Sequence, residues 1–338
     1  MRRTRIEEYE KGGYRIYRVP SIVCTDRGTV IAAYECRFGG DWSAMDLAIR
    51  RSTDGGQTWS DRMIVAEGHG IDAIHNAVLF ADGSMVHLIW HRNYREVRYM
   101  RSLDQGLTWS EPGDISDAYI RLRKRYNWTV IAAGPGHGLV TSAGRLIVPV
   151  WAAANRRDIT SHHPSVVTTL YSDDHGETWQ CGEIIWDRED FVDPNESVLA
   201  ELSDGRMMIN CRHETGNGLR KVGFSPDGIS NWAGFYFDGQ LIDPVCCAGM
   251  TQGDGHLWFT NCACGKEEGR IQLSIRRSDD DGRTWPYRRE LAEQGGYSDV
   301  FYSPSRKMLY VIAEAGRATE HTFSFGLSII SLSPEEIG

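Results

Sequence analysis

The sequence predicts an all-β chain folded as a six-bladed β-propeller with four-stranded antiparallel blades. The first observation is a turn that recurs. Ser52-Thr53-Asp54-Gly55-Gly56-Gln57-Thr58-Trp59 follows the pattern Ser-x-Asp-x-Gly-x-Thr-Trp, and intact copies stand at 102–109, 172–179 and 278–285. A worn copy at 225–232 keeps Ser225, Asp227 and Trp232 and moves the glycine by one position. The second observation is what lies between the copies: strand-length runs rich in Val, Ile, Tyr and Trp, bounded by Gly, Asp or Asn. The third is a set of Asp-Gly pairs, Asp82-Gly83, Asp204-Gly205 and Asp254-Gly255, placed ahead of several runs as hairpin turns are. The copies fall mostly roughly fifty residues apart, the period of one propeller blade. In each, the Asp is expected to accept turn amides, the Gly to supply positive φ and the Trp to cover the turn.

Taken in order, the expected blades are 15–66, 68–112, 128–187, 190–240, 242–292 and 294–335, all in one domain, because a blade cannot bury both its faces alone. The first holds the runs 29–34 and 47–50, and the second the run 84–90. The third holds 145–151 and 166–171, the fourth 206–211, the fifth 257–261 and the sixth, which lacks a box, 308–314. The gap between the second and third boxes is longer, roughly seventy residues, which implies an insertion there. A helical turn is expected around 119–126. A strand within 4–9 is expected to close the ring by pairing with 327–332.

Composition narrows the functional classes. Lys and Arg total 37 against 46 Asp and Glu, a formal charge of −9. This argues against nucleic-acid or membrane-surface partners. No apolar segment follows the basic residues at 2–5, so the chain as written reads as cytoplasmic; secretion or a periplasmic location stays open where a leader precedes Met1. The eight cysteines lack zinc-ribbon spacing and read as buried free thiols.

Arginines at strand starts carry the first chemical signal. Arg18 lies in Tyr17-Arg18-Val19-Pro20, Arg212 ends Asn210-Cys211-Arg212, and Arg270 precedes a strand-length run. Arginine at an inner position is costly to desolvate without an anionic partner. Three converging forks would clamp a carboxylate or phosphate.

These motifs, with the boxes and the run from Asn195-Glu196 to Arg212, resemble the bacterial and animal sialidases (neuraminidases) over most of the chain. The resemblance implies that Arg18, Arg212 and Arg270 bind the carboxylate of a sialylated glycan. It implies Tyr297, in Tyr297-Ser298-Asp299, as nucleophile, and Asp41, in Gly40-Asp41-Trp42, as acid and base. It further implies that Glu314 orients Arg18, that Arg37 meets the C4 side of the sugar, and that no metal or cofactor is needed. Where many relatives have an Asp facing the sugar's O4, this chain has Ile74-His75-Asn76, so Asn76, or His75 in its stead, is the candidate there.

The residue types fit the chemistry in their own right. A carboxylate nucleophile approaching an anomeric carbon that bears a carboxylate meets repulsion of about 4 kcal/mol at ~4 Å and intermediate dielectric. A neutral tyrosine avoids this if a base takes its proton, and Glu196 is the candidate base. Asp46 is the rival to Asp41, and Glu201 the rival to Glu196. His162 and His163 read as loop or core histidines, and Trp42, Met45 and Trp128 are the candidates for an acyl-group pocket. Two other functions compete: the same chemistry on another 2-keto-3-deoxy acid, deaminoneuraminic acid or Kdo, and a non-catalytic propeller that binds acidic glycans.

Overall fold

A computed structural model describes the chain except residues 71, 186–190 and 317–324. The described residues form five antiparallel sheets. β1 (Arg2–Arg5) leaves the N-terminus for the last sheet. The first sheet is β2 (Ile16–Cys24), β3 (Val30–Arg37), β4 (Met45–Ser52) and β5 (Met63–Ala66), paired in that order. The second is β6 (Ile74–Asp82), β7 (Met85–Arg92), β8 (Glu96–Ser102) and β9 (Gly113–Asp114). The helix α1 (Asp117–Leu122) follows, two residues ahead of the expected helical turn and inside the expected insertion.

In the third sheet β10 (Val130–Ala133) and β11 (Leu139–Val140) both pair β12 (Leu146–Ala153), followed by β13 (Ser165–Ser172) and β14 (Gln180–Cys181). Gly134-Pro135-Gly136-His137-Gly138 interrupts what would otherwise be one strand. This carries His137 against the buried Asp299, with Nδ1 and Oδ1 2.8 Å apart. The fourth sheet is β15 (Ser197–Glu201), β16 (Met207–Cys211), β17 (Leu219–Ser225) and β18 (Ala233–Ile242).

The last sheet departs from expectation. It has seven strands: β19 (Gly249–Gly253), β20 (His256–Cys262), β21 (Ile271–Ser278), β22 (Tyr287–Ser303), β23 (Met308–Gly316) and β24 (Leu327–Leu332), with β1 at its edge. The expected boundary near 293 falls inside β22, because the first half of β22 pairs β21 and its second half pairs β23. The closing strand is also shifted, with Arg2 opposite Ser331 and Arg5 opposite Ser328.

The core lies between sheets. Val23, Ile31, Ala33 and Ile49 of the first meet Leu79, Val86 and Leu88 of the second. Val78, Phe80 and Ile89 meet Val148, Val150 and Leu170 of the third, and Met208 and Val222 of the fourth meet Leu257 and Phe259 of the last. Each of the larger of these side chains contributes roughly 1.5–3 kcal/mol by leaving water. The leading strands of successive sheets touch: β2 packs on β6, β6 on β10 and β11, β15 on β12 and β19, and β22 on both β19 and β2.

The recurring box is a turn held by its aspartate. Asp54 Oδ1 accepts the Ser52 hydroxyl at 2.8 Å and the amides of Gln57 and Thr58 at 2.9 Å, while Oδ2 accepts the Thr58 hydroxyl at 2.6 Å. Asp104, Asp174 and Asp280 repeat the arrangement. In the worn copy Asp227 grips Ile229 and Ser230, one residue earlier. All eight cysteines are free, and seven of them are buried.

Candidate active site

Backbone irregularities place the functional side chains. β2 carries a register shift between Arg18 and Ser21, and Val19 sits at φ 53°, a costly conformation for a β-branched residue. β6 shifts register between His75 and Val78, with Asn76 at φ 50°, and β22 shifts between Gly295 and Ser298, which turns out Tyr297. Gly296 is required by space, since a Cβ there would lie 2.3 Å from Glu314 Oε2.

Glu314 ties two of these points together. Arg18 donates from Nε to Glu314 Oε1 at 3.0 Å and from Nη2 to Oε2 at 3.3 Å. The same carboxylate accepts the amides of Val19 and Tyr297, each at 3.2 Å. Glu314 is therefore buried but amply satisfied, and it fixes the Arg18 fork relative to Tyr297.

The Tyr297 hydroxyl donates to Glu196 Oε1 at 2.5 Å. Arg212 donates from Nη1 to Glu196 Oε2 and, at 2.9 Å, to the Tyr297 oxygen. Glu196 and Arg212 flank the β15–β16 ladder and stay in register through their backbones, with the Arg212 amide on the Glu196 carbonyl at 3.2 Å. Burial pushes the Tyr297 hydroxyl well above the ordinary tyrosine range, and the Glu196 charge adds to this against three nearby arginines. The phenol is therefore neutral at rest.

The guanidiniums of Arg18 and Arg270 lie 4.9 and 5.3 Å from the centre of the Tyr297 ring. Arg270 pairs with no carboxylate among the described residues, and its Nη1 is buried without a hydrogen-bond partner, as is Nε of Arg212. Guanidinium nitrogens left without partners beside a cavity are suited to an anionic partner. Val19, Cys246, Cys247 and Tyr297 pack together as a small apolar cluster, of which Val19 and Tyr297 line the cavity.

Asp41 stands across the cavity, half-exposed at its mouth, and accepts a hydrogen bond from Arg37 Nη1. Partial burial would raise Asp41, but Arg37, with Arg18 and His162 beyond it, holds the carboxyl below the ordinary aspartate range. Arg37 also donates from Nε to Glu35 Oε2 at 2.6 Å, and Glu35 Oε1 accepts the Asn76 amide at 2.7 Å. The rivals lie elsewhere. Asp46 accepts from Tyr14 and from the Gly68 amide, and Glu201 binds Ser142 on the surface.

All nine candidate residues except Glu314 line one cavity of about 230 Å³, and Glu314 backs it. His162 and His163 lie in the loop between β12 and β13, as expected, and that loop brings both to the cavity wall. Two of the three acyl-pocket candidates are corrected. Met45 is core, and Trp128 packs under Arg123 and bonds to the Tyr119 carbonyl. Trp42 stays at the rim, 5.0 Å ring to ring from Tyr94. The aromatic wall is instead Tyr94 and Trp151, with His162 beside them. Sequence reading assigned no role to Tyr94, Trp151, Asn195, Glu214 or Glu35; Asn195 stood beside Glu196 in the quoted run, and Glu35 was legible as the alternate-position partner of Arg37 on one strand face.

The BNR repeat-like domain matches residues 28–310. A sialidase of Micromonospora viridifaciens is 30% identical over 81% of this chain and 46% of its own length, and the chain spans about half the length of the curated relatives it matches. A solved structure, Hadza microbial sialidase Hz136, superposes with a TM-score of 0.82 at 23% identity, over 99% of this chain and 69% of that one. The intramolecular trans-sialidase from Ruminococcus gnavus superposes with a TM-score of 0.76 at 18% identity, over 96% of each chain. The fold is thus all-β and propeller-like, and the chain belongs to the BNR repeat-like domain family.

Proposed function

We propose that this chain is an exo-acting retaining glycoside hydrolase that releases terminal α-linked sialic acid from glycoconjugates through a covalent bond to Tyr297. The observation that carries the reading is the Tyr297–Glu196 hydrogen bond beneath three converging guanidiniums, one of which lacks a counter-ion among the described residues. Arg18, Arg212 and Arg270 hold the sugar carboxylate, leaving the anomeric carbon above the Tyr297 oxygen. Tyr297 attacks that carbon as Glu196 takes the phenolic proton, and Asp41 protonates the departing oxygen. In the second half Asp41 takes a proton from water as it attacks, and Glu196 returns its proton to the leaving tyrosine. Two inversions give net retention. Arg37 and Asn76 border the far side of the ring.

The architecture that goes with this reading is a six-bladed propeller with four-stranded blades at 15–66, 68–112, 128–187, 190–240, 242–292 and 294–335, the last completed by β1. The packing of β2 on both β6 and β22 supports ring closure.

Release of a fluorescent alcohol from an α-sialoside, abolished in Tyr297→Phe, tests the activity. Unaltered turnover in that variant sinks the nucleophile assignment. A second reading keeps the chemistry and changes the sugar to deaminoneuraminic acid or Kdo. Asn76 in place of an acidic residue motivates it, and matched glycosides of the three acids decide between them. Binding of these sugars without any hydrolysis would instead indicate a non-catalytic glycan-binding propeller.

A further inference from the structure

We propose that Asp41 takes up its proton when substrate arrives, and that Glu35 is the positioning residue that sets this step through its hold on Arg37. The inference rests on the reading of Asp41 as the acid and base. Arg37 is buried between two carboxylates, one buried and one at the cavity mouth. Glu35 is fully buried, and its oxygens are divided: Oε2 takes Arg37 Nε at 2.6 Å and Oε1 takes the Asn76 amide at 2.7 Å. One edge of the guanidinium is thereby fixed, and the remaining Nη1 grips Asp41.

This resting arrangement conflicts with the first chemical step. A carboxylate held by a guanidinium stays ionised, and an ionised Asp41 has no proton for a leaving oxygen. The charged and titratable groups around Asp41 are Arg37, Arg18 and His162, which favour its anion, Glu35, which opposes it, and the buried Tyr94, whose phenol stays neutral. A sugar carboxylate seated on Arg18 cancels part of that cationic field, and a sugar hydroxyl reaching Arg37 Nη1 displaces Asp41 from its partner. Both changes favour protonation. One solvent proton joins Asp41 on binding, passes to the departing oxygen as the glycosidic bond breaks, and is regained from the attacking water.

Isothermal calorimetry with 2,3-didehydro-2-deoxy-N-acetylneuraminic acid, near pH 7 in buffers of different ionisation enthalpy, reads the proton directly. The expected result is uptake of about one proton per ligand by the native chain, absent in Asp41→Asn. Zero uptake by a chain that binds and hydrolyses sialosides, or uptake that persists in Asp41→Asn, overturns the proposal. Absence of both binding and turnover overturns the functional reading as well. In Glu35→Gln the charge opposing Arg37 is gone, so the basic limb of the kcat profile is expected to move about one pH unit lower. Loss of activity with an unmoved limb overturns the role of Glu35. Calorimetry on the native chain tests the proton uptake even if this variant fails to fold.

Discussion

The phenol of Tyr297 donates to Glu196 Oε1 at 2.5 Å across a sequence separation of 101 positions. Burial keeps that phenol protonated, so its oxygen becomes nucleophilic only as the proton moves to Glu196. Tyr297→Phe is expected to lower kcat on the order of 10³-fold or more, and Glu196→Gln by about 10²–10⁴-fold. Equilibrium binding of an unreactive carboxylate-bearing sugar analogue to Tyr297→Phe should stay within about tenfold of the native chain, since the arginines remain. Steady-state kinetics beside calorimetry separates the two effects.

Two arginines of the same clamp should respond oppositely in stability. Arg18 neutralises the buried Glu314, so Arg18→Ala strands that carboxylate and should cost about 3–5 kcal/mol. Arg270 carries a buried, unpartnered Nη1, so Arg270→Met should leave the melting temperature unchanged or higher while weakening the sugar analogue by roughly 30-fold or more. Thermal melts with binding titrations on both variants check this; equal destabilisation would contradict it.

The box aspartates predict a behaviour in acid. The Thr108 hydroxyl and amide pull Asp104 down to about 2 in the folded chain, against about 3.9 unfolded. A depressed folded value means that the stabilisation is fully present above about pH 4 and is lost as pH falls through about 2. Asp104 faces solvent, which screens part of this gain, so Asp104→Ala should cost about 1 kcal/mol at pH 7, read as ~2–4 °C in Tm, with the difference shrinking below about pH 4. Melts across pH 2–7 measure it.

Asn76 fits its place through its amide. Its Nδ2 donates to the Ala133 carbonyl at 2.9 Å, and its backbone amide caps Glu35. Asn76→Asp keeps the left-handed backbone tolerable but sets a carboxylate against that carbonyl and near Glu35. A loss of about 1–3 kcal/mol is expected by denaturant unfolding.

Much of this was legible in the sequence because the signals are periodic or local. The boxes repeat, the strand runs are bounded by turn residues, and Tyr17-Arg18-Val19-Pro20 announces its arginine. Asp41 and Glu196 stood beside the rivals Asp46 and Glu201, and only their contacts separate them: Tyr14 and Gly68 occupy Asp46, and Ser142 occupies Glu201. Tyr94, Trp151 and His162 were not legible as a cavity wall, because long-range packing assembles them and no spacing records it. The continuity of β22 was hidden for a related reason. The expected blade boundary near 293 reads as a gap between strands, yet one strand runs through it and changes partner from β21 to β23 at Gln294.

The most direct test of a tyrosyl intermediate is to find where the sugar is held in mid-reaction. A fluorinated sialosyl donor that slows the second step is mixed with the native chain, which is then digested and mapped by mass spectrometry. The expected result is one sugar per chain on the peptide bearing Tyr297, and none in Tyr297→Phe. An adduct on Glu196 or Asp41, or turnover with inversion and no adduct, would contradict it.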